Sequence, residues 1–251
     1  MPDEQGAERP KYQRIADDLK AAIEAGEYAP GDRLPGENVL APRYGVAVMT
    51  ARQALRTLKN QGLAESRRGA GVFVQAFRPI RRRGIQRLAR NQWGAGKSIW
   101  DADDDRALSV DQVSVEEVTP PRHIADVLGL ADGETACARS RRYSLEERPV
   151  MLAAAYLPYE LVAGSAITRP DTGPGGIYAR LADLGHAPVH FREEVRGRLP
   201  TSAEAAQLGM SVERPVLKVC RTAYSADGQA VEVQEMTLDS ASYVLDYEFD
   251  A

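Results

Sequence analysis

Between residues 11 and 62 the apolar residues return at steps of three and four, and glycines and prolines interrupt the pattern. This spacing predicts three amphipathic helices, over about residues 11–24, 36–44 and 47–60. Gly26 and then Pro30-Gly31 end the first helix, and Gly45 supplies a tight turn before the third. The first sixty residues are therefore predicted to be mainly helical.

A basic hairpin is predicted directly after the third helix. Two short strands, residues 63–66 and 72–74, flank the run Arg67-Arg68-Gly69-Ala70-Gly71. Helix, helix, turn, helix and basic hairpin is the order of a winged helix-turn-helix. In such a domain the third helix lies in the major groove of DNA and the hairpin, or wing, lies beside it.

Four blocks of sequence in this region resemble the N-terminal domain of the GntR family of bacterial repressors. The blocks are Tyr12-Gln13-Arg14-Ile15-Ala16, Gly31-Asp32-Arg33-Leu34-Pro35, Met49-Thr50-Ala51-Arg52-Gln53-Ala54-Leu55 and Arg67-Arg68-Gly69-Ala70-Gly71-Val72-Phe73-Val74. The resemblance extends over residues 11–74. The resemblance implies DNA contacts from the third helix and the wing. The candidate DNA-binding residues are Arg43, Met49, Thr50, Arg52, Gln53, Arg67, Arg68 and Gly69.

Arg52 is the strongest of these candidates, because a guanidinium on the outer face of this helix can bind guanine O6 and N7 together. The alternative is that Arg52 pairs with Glu37 or another acid on the domain surface. The wing arginines have their own alternative, a solubilising hairpin tip, and Thr50 faces either the DNA or the core. Two arginines customary in the family are absent, at Asn38 and Val48. The operator therefore differs from the common pattern, or affinity depends more on Arg43, Arg52 and the wing.

Charge divides the chain into two parts. Residues 1–90 contain 17 Lys and Arg against 10 Asp and Glu, whereas residues 91–251 contain 15 against 26. A basic segment joined to an acidic one suggests that only the first part meets a polyanion. Residues 78–90 hold six arginines and no acid. This segment is interpreted as a flexible, solvated linker, or alternatively as a source of non-specific phosphate contacts.

From Val110 onward the pattern becomes one of alternation, which predicts strands that each bury one face. The predicted strands are residues 110–118, 137–145, 150–157, 186–199, 216–224, 231–238 and 243–249. Short helices are predicted at residues 122–130, 177–184 and 201–208. This succession indicates an α+β domain around an antiparallel sheet.

This second region resembles the effector domain, called UTRA, of the HutC branch of the GntR family, whose fold is shared with chorismate lyase. The matching features are Leu128-Gly129-Leu130, Arg139, Arg142-Tyr143, Arg148-Pro149-Val150, Tyr156-Leu157-Pro158 and Val231-Glu232. The resemblance covers roughly residues 95–249. It implies a chorismate-lyase-like antiparallel sheet that binds a small molecule.

The resemblance implies that Arg139, Arg141, Tyr156 and Glu232 bind the effector. Alternation places Arg139 and Arg141 on one face of a strand, where they are able to hold an anion together. The alternatives are that both are outward charges and that Tyr156 belongs to the core. Ala153 and Ala155 stand where the family has polar groups, and Asp239-Ser240-Ala241-Ser242 replaces a customary charged run. These departures favour a less polar ligand than an amino-sugar phosphate.

The sequence as a whole predicts a winged helix-turn-helix at residues 8–76, a basic linker at 77–94, and an effector-binding and dimerisation domain at 95–251. The predicted function is a transcriptional repressor, without cofactor, that acts as a cytoplasmic homodimer on a near-palindromic operator and responds to an anionic effector. No membrane, metal or catalytic role is expected, and Cys137 and Cys220 are interpreted as small apolar residues. The alternatives are a chorismate-lyase-like enzyme and an architectural or plasmid-maintenance DNA binder without a ligand.

Overall fold

Three helices and a hairpin form the first of two units in the computed structural model, residues 1–78 and 79–251. The structure describes residues 9–67, 69–76, 79–84, 86–95 and 108–248. The elements of the first unit are α1 Lys11–Glu24, α2 Glu37–Tyr44, α3 Val48–Asn60, β1 Ala64–Arg67 and β2 Gly71–Val74. β1 and β2 pair antiparallel. The predicted winged helix-turn-helix order is thereby confirmed.

The core of the first unit lies where the apolar stripes of α1 and α3 meet. Ile15 and Leu19 of α1 are buried with Leu55 and Leu58 of α3, as the three-and-four spacing requires. α2 ends at Gly45, whose φ of +61° is left-handed and therefore favours glycine over a residue with a side chain. This turn redirects the chain into α3.

The second unit consists of eight strands and five short helices among the described residues. They are β3 Ile80–Arg83, α4 Arg90–Trp93, β4 Ser109–Val118, α5 Arg122–Leu128, β5 Ala136–Leu145, β6 Arg148–Pro158, α6 Tyr159–Val162, α7 Gly176–Asp183, β7 His190–Arg198, α8 Ser202–Leu208, β8 Val216–Tyr224, β9 Ala230–Asp239 and β10 Tyr243–Asp246. Two 3₁₀ turns, at Gln86–Leu88 and Ala166–Thr168, complete the list. None of the helices in the described part of the chain is long and apolar enough to cross a membrane.

Six of these strands form one antiparallel sheet in the order β4-β5-β6-β9-β8-β7. This confirms the predicted α+β fold. Two details differ from the sequence prediction. β7 begins at His190 and not at His186, and β10 lies outside the six-stranded sheet, where it pairs parallel with β3.

Each face of the sheet carries its own apolar cluster. On one face Leu157 and Val231 are buried with Tyr178 and Leu181 of α7. On the other face Val233 is buried with residues of α5. Val231 and Val233 lie on different faces although they are two residues apart, because the β8–β9 register shifts at Val231, between the pairs Tyr224–Ala230 and Ala223–Glu232.

Residues 77–94 are predicted to form a solvated linker, but the described part of this segment is folded into the second unit. Ile80–Arg83 form β3, whose pairing with β10 ties the segment into the second unit. Arg82 is fully buried and its guanidinium pairs with the carboxylate of Glu193, and Trp93 is also buried. The basic composition suggested solvent exposure, but a guanidinium that meets a carboxylate can be buried.

Glu204 ties the start of α8 to the sheet. Its backbone N–H and carboxylate form a reciprocal capping box with Thr201. The carboxylate also accepts hydrogen bonds from Arg198, at 2.7 Å on both oxygens, and from the hydroxyl of Thr237 at 3.1 Å. The Arg198 hydrogen bonds outweigh the effect of burial and lower the pKa of Glu204 to about 2.

We expect Glu204→Gln to lower the free energy of unfolding of the second unit by about 1–3 kcal/mol at pH 7, after allowance for solvent screening at the half-exposed Arg198. The pKa of Glu204 is depressed in the folded state, so its contribution is complete above about pH 4.5 and is lost as the pH falls toward 2. Urea unfolding followed by tryptophan fluorescence should show the difference shrinking across this range. Glu160→Gln, in the first turn of α6, is the control. A difference that is independent of pH would contradict the assignment.

Candidate DNA interface and effector cavity

The outer face of α3 is exposed in the first unit, while its inner face is buried. Met49 is 65% exposed, and Arg52 and Gln53 are also exposed. Thr50 is half-buried at the boundary between the two faces. Ala47, whose backbone is extended, is the residue before α3, and the first turn of the helix exposes Val48 and Met49.

Arg52 forms an ion pair with Glu37 of α2, the alternative considered from the sequence. Its Nε and Nη2 donate to the two carboxylate oxygens at 3.0 and 2.5 Å, and its Nη1 lies 3.4 Å from the Sδ of Met49. The hydrogen bond from Arg52 lowers the pKa of Glu37. Because the pair is exposed to solvent, it is weak enough to exchange for another acceptor.

The other candidate DNA contacts lie at the end of α2 and on the hairpin. Arg43 is exposed, and its guanidinium carbon lies 5.7 Å from the centre of the Tyr44 ring. Arg67 donates to Glu65 at 3.0–3.1 Å and stacks 4.4 Å from the centre of the Phe73 ring. Gly69 has a φ of +73°, and Arg68 lies outside the described residues. The hairpin thus positions its first arginine against an aromatic face.

The second unit contains a cavity of about 370 Å³ on the α7 face of the sheet. Arg139, Arg141 and Glu232, three of the four predicted effector-binding residues, line it together. Ala153 and Ala155 line it as well, and residues 171–176 pass along its edge. A cavity of this size, with a few convergent polar groups, is typical of a small-molecule site.

Arg139 and Arg141 both donate to the chain segment that follows the Ala166–Thr168 turn. Arg139 is 2% exposed, and its guanidinium donates to the carbonyl oxygens of Ile167, of Arg169 at 2.6 Å and of Pro170 at 3.1 Å. Arg141 is less buried and donates to the same Pro170 oxygen at 2.9 Å. Burial lowers the pKa of Arg139, and the neighbouring charge of Arg141 adds to this effect.

Glu232 is buried beside two residues that the sequence analysis did not single out, Tyr178 and Arg221. The Tyr178 hydroxyl donates to Glu232 Oε2 at 2.7 Å, and Arg221 Nη2 lies 3.9 Å from the same oxygen. Burial raises the pKa of Glu232, although the charge of Arg221 and the Tyr178 hydrogen bond oppose the change. The sequence pattern was sufficient to identify Arg221 as an inward-facing residue, because alternation in β8 places it on the same face as buried Val219 and Ala223.

Tyr156 does not join the other predicted effector residues. It lies on the opposite face of β6, packed with the cluster that contains Ile124, Leu128 and Val233. The prediction that Tyr156 binds the effector is therefore wrong in this structure. Its neighbours Ala155 and Leu157 lie on the cavity face, so Tyr156 lies on the other. Tyr156 belongs to the packing of α5 on the sheet, the alternative considered from the sequence.

Each of the two units matches the profile of a known protein family. Residues 11–74 match the profile of the bacterial regulatory proteins of the gntR family, and residues 104–243 match the profile of the UTRA domain. A GntR-family transcriptional regulator of known crystal structure superposes with a TM-score of 0.63 at 23% identity, over 97% of this chain and 98% of that one. The likeness to the crystal structure concerns the fold.

Two relatives are similar to this chain along most of their length. A helix-turn-helix transcriptional regulator of Streptomyces coelicolor is 30% identical over 239 residues, 89% of this chain and 86% of the relative. The transcriptional repressor NagR of Bacillus subtilis is 27% identical over 89% of this chain and 88% of its own length. Together with the UTRA match over more than half of the sequence, these similarities show that the chain belongs to the GntR family of transcriptional regulators, with a helix-turn-helix domain and a UTRA ligand-binding domain.

Proposed function

We propose that this regulator is a repressor of the HutC branch that binds a near-palindromic operator as a homodimer and responds to an anionic small molecule. The observation that carries the proposal is the exposed outer face of α3, which follows the tight turn at Gly45 and presents Met49, Arg52 and Gln53. In a dimer, two such helices enter successive major grooves about 10 base pairs apart.

On the DNA side, α3 recognises bases, and the other candidates contact the backbone or the minor groove. Arg52 exchanges its pairing with Glu37 for a guanine edge, where a bidentate contact discriminates between bases. Met49 is placed for contact with a thymine methyl group, and Gln53 for a hydrogen bond. Arg43, Arg67 and Arg68 contribute phosphate or minor-groove contacts, and Gly69 allows the backbone to approach the DNA closely.

On the effector side, an anionic group of the ligand binds at Arg141 beside Arg139. A carboxylate or phosphate accepts stronger, charge-assisted hydrogen bonds than the Pro170 carbonyl that both arginines now contact. The ligand then competes with the carbonyl oxygens of the segment at residues 167–170 for hydrogen bonds from these two arginines. This competition gives ligand binding a structural consequence, and the expected coupling to operator affinity is roughly 1–3 kcal/mol.

The cavity supports a binding role over a catalytic one. Burial raises the pKa of Tyr178 well above its ordinary value, and its hydroxyl donates to Glu232. Tyr178 and Glu232 thus satisfy each other, and the match to a family of regulators favours binding over catalysis. The cavity also favours a ligand-responsive regulator over an architectural DNA binder.

The names of NagR and of the E. coli repressor MngR, 26% identical over 94% of this chain, support repression. DNA binding supports a cytoplasmic location.

Selection of genomic DNA fragments by the full-length protein at about 0.15 M salt tests this proposal, with sedimentation of the same preparation beside it. We expect enrichment of one inverted repeat whose half-sites lie about one helical turn apart, and a dimeric protein. Fragments enriched without a shared sequence, or a monomer that binds a single half-site, would overturn the proposed operator recognition.

A further inference from the structure

A row of four residues crosses the floor of the effector cavity from one arginine to another. Arg139 of β5 lies opposite Ala155 of β6, Ala155 lies opposite Gln234 of β9, and Gln234 lies opposite Arg221 of β8. All four line the cavity. Three inter-strand spacings of about 4.8 Å place the two terminal Cα atoms about 14 Å apart.

Arg221 has hydrogen-bonding capacity that the described residues do not use. Its side chain is 1% exposed, and Nη2 donates to Gln234 Oε1. Nε and Nη1 have no hydrogen-bond partner among the described residues. A buried guanidinium with unused donors is costly, and a ligand in the cavity is placed to supply the acceptor.

The opposite end of the row has a similar capacity. The Nε atoms of Arg139 and Arg141 have no hydrogen-bond partner in the part of the chain that the structure describes. Three guanidiniums therefore line the cavity, those of Arg139, Arg141 and Arg221, against the carboxylates of Glu232 and Asp171. Arg139 and Arg141 form one end, while at the other end Glu232 lies 3.9 Å from Arg221 and accepts the Tyr178 hydroxyl, so that Arg221 offers its unused Nε and Nη1 donors there.

Small apolar side chains occupy the middle of the cavity floor. Ala155 lies in the row itself, and Ala153 lies beside it, opposite Arg141. Alanine at both positions leaves room above the sheet without offering a hydrogen bond. The middle of a ligand that spans the row would therefore meet apolar surface.

We propose that the effector carries two anionic groups joined by a short apolar middle, one bound at Arg139 and Arg141 and the other at Arg221. This inference rests on the proposed effector site and adds to it a second anion-binding end. The ligand class is that of linear dicarboxylates, or of acids with a phosphate at the far end. Because Arg221 reaches inward to Gln234 and each anionic group lies between the two ends, the required separation is shorter than the span of the row.

Thermal unfolding and calorimetric titration of the full-length protein test the proposal at constant pH and ionic strength. The probes are the linear dicarboxylates from succinate to suberate, each compared with the monocarboxylate of equal carbon number, and inorganic phosphate. The variants are Arg221→Gln and Arg141→Gln. Arg122→Gln is the matched control, because Arg122 lies on α5 with its side chain 85% exposed.

We expect at least one dicarboxylate to bind about tenfold more tightly than its monocarboxylate partner. Arg221→Gln should abolish that advantage and retain monocarboxylate binding, Arg141→Gln should weaken both, and Arg122→Gln should resemble the wild type. Because Arg221→Gln leaves the buried carboxylate of Glu232 without its cation, its unliganded melting temperature should fall. If that variant melts too early for titration, Arg221→Gln/Glu232→Gln, which removes both buried charges, is judged by the same binding ratio.

The outcomes separate the two proposals. Equal binding of dicarboxylates and monocarboxylates, with Arg141→Gln weakening both, would overturn the second anionic end and leave the effector site standing. A dicarboxylate advantage that persists in both Arg221 variants would overturn the role of Arg221. Binding of none of the probes, phosphate included, would overturn the anionic effector site and this inference together.

Discussion

Arg52→Ala is expected to weaken binding to the selected operator by roughly 1–3 kcal/mol and to relax base preference at one position in each half-site. The reason is that a guanidinium on the exposed face of α3 recognises a base edge, whereas a phosphate contact carries no sequence information. Titration of the operator, and of a series of operators changed at single positions, measures both effects at one salt concentration.

Two further variants identify the origin of the effect. Lys20→Ala removes one positive charge from α1, where Lys20 Nζ lies 3.9 Å from the carboxylate of Glu24, and any loss should be equal on all sequences. Glu37→Gln removes the carboxylate that holds Arg52 in the free protein, and should strengthen operator binding. If Arg52→Ala weakens binding equally on every sequence, Arg52 contacts phosphate and does not read a base.

Glu193→Gln is expected to lower the free energy of unfolding of the second unit by about 3 kcal/mol, because it leaves the buried guanidinium of Arg82 without its carboxylate. Burial alone would raise the pKa of Glu193, but the hydrogen bond and charge of Arg82 outweigh it and lower that pKa. Both tryptophans, Trp93 and Trp100, lie within residues 79–251, so their fluorescence during urea unfolding reports on this unit.

The neighbouring residue provides the matched control. Glu194 is half-exposed and pairs with exposed Arg192, so Glu194→Gln should change stability by less than about 0.5 kcal/mol. The double variant Arg82→Met/Glu193→Met should recover much of the loss, because it removes both buried charges. If Glu193→Gln costs no more than Glu194→Gln, Arg82 is solvated in solution and the segment around it behaves as a linker.

Local pattern was sufficient to predict most elements of both units. The three helices and the hairpin of the first unit follow from apolar spacing and from glycines such as Gly45, and the alternation in β5 placed Arg139 and Arg141 on one face. These features depend on residues close together in sequence, which repeat every 3.6 or 2 positions. Tyr156 shows the limit of family resemblance, because the same alternation that places Ala155 in the cavity places Tyr156 outside it.

Which strands become neighbours was decided by the tertiary structure alone. Strand order and register bring Arg221 and Gln234 into one row with Arg139, although seventy residues of sequence separate β5 from β8. Tertiary structure also decided two ion pairs between residues distant in sequence, the buried pair of Arg82 with Glu193 and the exposed pair of Arg52 with Glu37. The sequence determined the elements and the faces of their side chains, because those are local properties. The structure determined which faces meet, because pairing and packing depend on contacts between residues distant along the chain.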